Sequence, residues 1–148
     1  MITLKRPCIK ILTAKDPIEY IYEDFIQCEI NEKIGNIFAS YLRSFLRHDP
    51  EIIMIGEIRD EETAKMAFKA AQTSHLLLST MHTNDAVSSV TRLADLGVDS
   101  NLIVFSLVGI LSQRLLREVC TECKEEYEPS QDLQKEFFGL LPQDISMV

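Results

Sequence analysis

The chain has 148 residues, 46% hydrophobic and 26% charged, with a formal net charge of −8. Length and apolar content fit one ordinary domain with a real core and exclude simple disorder. The acidic balance argues against a nucleic-acid surface, which needs clustered Lys and Arg.

In chain order, Ile9-Lys10-Ile11-Leu12-Thr13 reads as a short strand, with Asp16-Pro17-Ile18-Glu19 close behind it, and Phe25 to Ile30 is a second β-like stretch. Ile34, Phe38, Tyr41 (or Leu42) and Phe45 recur at helical spacing, which predicts a helix over 34–47 with a buried stripe, stopped by Pro50. Ile52-Ile53-Met54-Ile55 is a continuous apolar run, as in a strand buried on both faces, and Gly56-Glu57-Ile58-Arg59-Asp60 follows its end. Asp60 can cap a helix from Glu61 to Ala71. Leu76-Leu77-Leu78-Ser79-Thr80 is the next strand, closed by Met81-His82-Thr83-Asn84-Asp85. Asp85 can cap a helix over 86–96, with Gly97 at its C′ position, and Asn101 to Val119 reads as a further long helix. The last dozen residues, with Gly139 and Pro142, are expected to fray. Strands alternating with helices predict an α/β fold with a mostly parallel sheet.

The longest apolar stretch, Leu102 to Leu111, is about half the ~20 residues that span a bilayer. No charged-then-apolar leader is present, so export is not expected. Cys8, Cys28, Cys120 and Cys123 read as reduced thiols of a cytoplasmic protein. From Glu118 to Glu136 seven acids face two lysines, the pattern of a solvated face or tail.

Three apolar strands each deliver acids or a histidine at the same end. If the strands are parallel, Glu19, Glu57 and His82 converge on one edge of the sheet, where ligands of open α/β sheets bind. Two carboxylates and an imidazole suit metal-assisted phosphoryl transfer: the acids hold a hydrated Mg²⁺ or orient water, and the imidazole contacts phosphate. Taken singly, Glu57 reads more readily as an ordinary charged turn and His82 as a hydrogen-bonded loop histidine. Arg59 is open between pairing with Asp60 and facing a nucleotide. Arg43 and Arg47, i and i+4, are open between a subunit contact and a solvated pair. His75 and His82 lie toward opposite ends of a predicted strand, which argues against a shared metal.

Leu46-Arg47-His48-Asp49-Pro50-Glu51-Ile52-Ile53-Met54-Ile55-Gly56-Glu57-Ile58-Arg59-Asp60 resembles the signature of the secretion traffic ATPases, hexameric motors of type II secretion and type IV pilus assembly. Ala71 to Ala86 is similar to that family's histidine box, and Thr13 to Tyr20 to its aspartate box. Cys120-Thr121-Glu122-Cys123 resembles the first half of a zinc-binding tetracysteine element. The resemblance covers about Ile9 to Tyr127 with its motifs in the family's order. It implies a partial RecA-like P-loop NTPase core over 1–119, followed by the start of a cysteine-containing element and a tail over 120–148. Glu57 then matches the Walker B glutamate, with Gly56 where most P-loop proteins carry aspartate. Glu19 matches the acid that activates the attacking water, and His82 the residue near the γ-phosphate. Gly56 and Arg59 fall in the nucleotide site, with ATP and Mg²⁺ as cofactors. Lys15 stands where the family usually has an acid, Ser74 where it has glycine before His75, and Glu51 where it has aspartate.

With five glycines, none in a G-x-x-x-x-G-K-[ST] arrangement, the chain has no phosphate-binding loop. The expectation is the second half of a motor domain, inactive alone. In the family's fold the strand leading into that loop is expected beside the 52–55 strand, whose apolar edge would then be unpaired and prone to aggregation. The expected partners are other copies in a hexamer or full-length ATPase subunits, with inner-membrane secretion or pilus platform proteins, placing the chain in the cytoplasm or at that membrane's surface. The alternative is a non-catalytic module docking on full-length subunits. A zinc adaptor is disfavoured, because Cys120 and Cys123 give only half of the four ligands a Zn²⁺ site needs. A redox role is disfavoured because the pair closes a predicted helix rather than opening one.

Overall fold

The computed structural model describes residues 2–128, 130 and 132, and the fraying expected of the last dozen residues lies outside them. The chain divides into two compact units, 1–113 and 114–148. The first holds a four-stranded sheet of β1 (Ile11–Lys15), β2 (Ile26–Glu29), β3 (Ile52–Ile55) and β4 (Leu76–Ser79). Their order is β2-β1-β3-β4 and every pairing is parallel, so all four strands end at one edge.

The 52–55 strand is therefore central, flanked by β1 and β4, which corrects the expectation of an unpaired edge there. The open ladder edges belong to β2 and β4. β4 is accordingly half-exposed rather than buried, and β1 begins and ends two residues later than its apolar run suggests, because its register follows β3.

Helices α1 (Phe38–Phe45), α2 (Glu61–Gln72), α3 (Ala86–Asp95) and α4 (Ser100–Ser106) connect to one main core. That core joins Leu12, Ala14, Ile53 and Ile55 of the sheet to Phe38, Leu42 and Phe45 of α1, Ala64, Ala67 and Phe68 of α2, Leu93 of α3 and Ile103 of α4. On the opposite face Ile11 and Ile52 meet Phe25 in a smaller cluster, with Leu4, Tyr22 and Leu78 packed against it. The alternation along β1 and β3 thus feeds two faces, the reason these strands are apolar throughout.

Two helices are shorter than predicted. Gly35 adopts φ +80°, outside the right-handed helical region, and a bridge between Asn31 and Asn36 closes the turn around it. α1 consequently starts at Phe38, Ile34 is 70% exposed, and Leu42 rather than Tyr41 carries the fully buried position. α4 starts on Asp99, whose side chain accepts from the Asn101 and Leu102 amides, but ends at Ser106 instead of running to Val119. Beyond buried Ile103, the side chains of Phe105, Val108, Leu111, Leu115 and Leu116 are each at least 86% exposed. A helix draws most of its stability from packing an apolar face, and within its own unit each stretch finds no such surface.

The caps of the other helices follow the sequence. The Asp60 carboxylate accepts from the Thr63 amide and hydroxyl, each at 2.8 Å, and Asp85 accepts from the Ser88 amide at 2.7 Å. Gly97 ends α3 at φ +76°. In the second unit, Thr121–Cys123 form a turn closed by the Lys124 amide donating to the Cys120 carbonyl at 3.1 Å, so the cysteine pair does not close a helix. No helix among the described residues is long and apolar enough to cross a membrane.

Candidate active site

Glu57 leaves the carboxyl end of the central strand and is 8% exposed. Burying a carboxylate is costly unless it is paired. Here Arg59 Nη2 donates to Oε1 at 2.5 Å, while His82 Nε2 lies 3.3 Å from Oε2. The second contact is an approach without hydrogen-bond alignment: Oε2 has no donor among the described residues. Both partners are largely exposed, so solvent screens their attraction.

Arg59 therefore pairs with Glu57 and not with Asp60, which is occupied in capping α2. The hydrogen bond to Glu57 raises the Arg59 guanidinium above its ordinary value, and the charges of Glu57, Asp16 and Glu32 act in the same direction. Those acids come from the ends of three parallel strands. Glu32, beyond a short and partly exposed strand, carries no signal in the sequence.

His82 follows β4 and Glu57 follows β3; the parallel register pairs Ile55 with Ser79 and so brings both exits together. Glu19 lies on the loop after β1, at the same edge of the sheet, with an exposed side chain. Among the described residues the charged contacts of Glu57 are Arg59 and His82, and Glu19 is not one of them. Gly56 donates its amide to Ala14 at 2.8 Å, and its carbonyl accepts from the Thr80 hydroxyl at 2.6 Å. An added Cβ there would stand 3.4 Å from Ala14, Lys15 and Phe38 atoms.

The remaining candidates lie elsewhere. His75 stays at the amino end of β4, where Nδ1 is 3.1 Å from the Ala70 carbonyl and 3.0 Å from Thr73 Oγ1. Arg43 pairs with Glu62 across α1 and α2. Cys120 and Cys123 are exposed free thiols, and no group of three His, Cys, Asp or Glu among the described residues is placed to hold a metal. A separate groove of about 570 Å³, lined by Phe68, Leu77, Met81 and Leu107, is largely apolar and does not include Glu57.

A family model described as Type II/IV secretion system protein matches residues 1–143. The chain belongs to this family. It is 49% identical over 127 residues to the "Type II secretion system ATPase E" of Vibrio cholerae, covering 86% of this chain and 25% of that protein. To the "Type IV pilus assembly ATPase PilB" of Thermus thermophilus it is 52% identical over 117 residues, covering 79% of this chain and 13% of that one. Among solved structures, the pilus retraction motor PilT with bound ADP superposes with a TM-score of 0.64 at 41% identity, over 72% of this chain and 34% of that one. The chain spans about a quarter of the length of most of the curated secretion and pilus relatives it matches. The parallel sheet with its helices is part of a RecA-like ATPase core, as the resemblance implied.

Proposed function

We propose that this secretion-family chain supplies the water-activating edge of an ATP-hydrolysing motor for type II secretion or type IV pilus assembly, and that alone it does not turn over ATP. The observation that carries this reading is the buried Glu57 carboxylate, at the end of the central strand between Arg59 and His82. Its Oε2, short of a donor, suits a water molecule or a water ligand of Mg²⁺. Mg²⁺ would be held here through a water ligand at Glu57 and would supply neutralisation of phosphate charge. Glu19 and Glu57 then orient water, His82 meets the γ-phosphate, and Gly56 and Arg59 border the nucleotide. The similarity to a pilus motor solved with bound ADP supports nucleotide use by the motor to which this chain belongs.

Turnover by the chain alone is not expected because the sequence lacks the glycine-rich loop and lysine that hold β- and γ-phosphates. Catalysis of this kind is almost entirely positioning and electrostatics. In the working motor the chain sits in a ring of ATPase subunits at the cytoplasmic face of the inner membrane, beside platform proteins. The test compares ATP hydrolysis by the chain alone, by the chain with a P-loop-bearing motor half supplied in trans, and by both with Glu57→Gln. The expected result is negligible turnover alone and low turnover with the added half, abolished by Glu57→Gln. Glu57-dependent hydrolysis by the chain alone overturns the inactivity, and restored turnover indifferent to Glu57→Gln overturns the site.

A second reading, a non-catalytic module docking on full-length subunits, is favoured by the exposed Phe105, Val108 and Leu111 side chains of the first unit. It predicts tight binding to full-length subunits whose hydrolysis is unchanged by Glu57→Gln in this chain.

A further inference from the structure

The β3–β4 ladder ends at the pairing of Ile55 with Ser79, so strand pairing does not itself hold Glu57. One residue beyond the ladder takes over. Thr80 Oγ1 donates to the Gly56 carbonyl at 2.6 Å, and the Thr80 carbonyl accepts from the Ile58 amide at 3.1 Å. Glu57 lies between these two points of attachment. From the other side, the Gly56 amide donates to Ala14 at 2.8 Å, so both neighbouring strands hold the segment.

We propose that Thr80 is the positioning residue of Glu57: it fixes the backbone on both sides of the carboxylate. Packing does not demand this residue, because Thr80 is exposed. Strand propensity does not demand it either, since valine serves that role equally well. What threonine adds is the hydroxyl donor, at a distance typical of a good O–H···O bond. Without it the Gly56 carbonyl loses its side-chain donor and the segment keeps one attachment to Thr80 instead of two. The catalytic part of this proposal rests on the motor reading above; the clamp itself does not.

Two substitutions separate the hydroxyl from the shape. Thr80→Val keeps the β-branch and removes the donor, while Thr80→Ser keeps the donor. Amide hydrogen exchange on the 148-residue chain is expected to show the Ile58 amide exchanging about fivefold faster in Thr80→Val, the effect of one neutral hydrogen bond on a local opening. Ile53 and Ile55 should keep their wild-type protection, and Thr80→Ser should match wild type throughout. With a P-loop-bearing half and Mg·ATP supplied, Thr80→Val is expected to lower kcat about tenfold at unchanged KM, because misplacing a catalytic group slows the reaction without weakening binding. Thr80→Ser should restore the rate. Unchanged Ile58 exchange in Thr80→Val overturns the clamp. Unchanged kcat in Thr80→Val, in a motor that Glu57→Gln abolishes, overturns the positioning role. If Glu57→Gln itself has no effect, the motor reading falls, and Ile58 exchange alone upholds or overturns the clamp.

Discussion

Glu57 Oε2 and His82 Nε2 stand 3.3 Å apart although the two residues leave different strands. The contact depends on parallel pairing of β3 with β4, because an antiparallel neighbour would send His82 to the far end of the sheet. It also depends on burial: Glu57 sits low in the edge while His82 stands in solvent, so a ligand arriving from outside meets the imidazole before the carboxylate.

The start of α1 can be tested by two truncations. Leu42 is 0% exposed and Ile34 is 70% exposed. Leu42→Ala is expected to cost about 2–5 kcal/mol, while Ile34→Ala stays within about 0.5 kcal/mol. Urea denaturation of both variants decides the point; a large loss from Ile34→Ala would restore the longer helix.

Asp60→Ala removes the cap of α2, with its bonds to the Thr63 amide and hydroxyl. The expected loss is about 1 kcal/mol, measured in the same way. Because Arg59 pairs with Glu57, the substitution should leave Glu57-dependent hydrolysis intact in a motor supplied with a P-loop half. Loss of hydrolysis at full stability would mean that Asp60 belongs to the site.

At the end of α3, Gly97 holds φ +76°, and a Cβ there would approach Glu61 Oε1 to 3.2 Å. The Glu61 terminus can swing away, so backbone strain decides the sign. Gly97→Ala should destabilise by about 1–2 kcal/mol. A thermal melt equal to wild type would show that the turn relaxes.

The thiols should differ in reactivity. Backbone hydrogen bonds from Glu122 and Cys123 lower the Cys120 thiol from its ordinary value, whereas burial raises Cys28. A lowered value means more thiolate at neutral pH, and the thiolate is the nucleophile. Limiting iodoacetamide at pH 7, read by peptide mass, should therefore alkylate Cys120 before Cys28. The reverse order would contradict the arrangement of the 120–123 turn.

Self-association of the isolated chain is expected through the open edge of β4 and the exposed apolar side chains at and after the end of α4, not through β3. Leu76 is 42% exposed on that edge, and Phe105 and Leu111 are 86% and 90% exposed. Leu76→Lys with Phe105→Ser should shift the chain toward monomer in analytical ultracentrifugation without lowering its melting temperature. A monodisperse wild-type monomer would refute this route.

What the sequence determined by itself was local. Asp60 and Asp85 as caps, Gly97 at a helix end and the 52–55 strand each follow from a few adjacent residues whose chemistry favours one backbone state. The motifs that single out Glu57 and His82 as candidates are legible for the same reason, since a strand followed by a polar loop is written in consecutive residues. Tertiary structure decided the rest. That Ile34 lies outside α1, that α4 stops at Ser106, and that β3 is flanked by β1 and β4 all depend on which surfaces meet. An apolar side chain makes a helix or a buried strand only where another element covers it. The pairing of Arg59 with Glu57, and the grip of Thr80 on Gly56 and Ile58, are set by register between strands distant in sequence, and no window of consecutive residues contains that information.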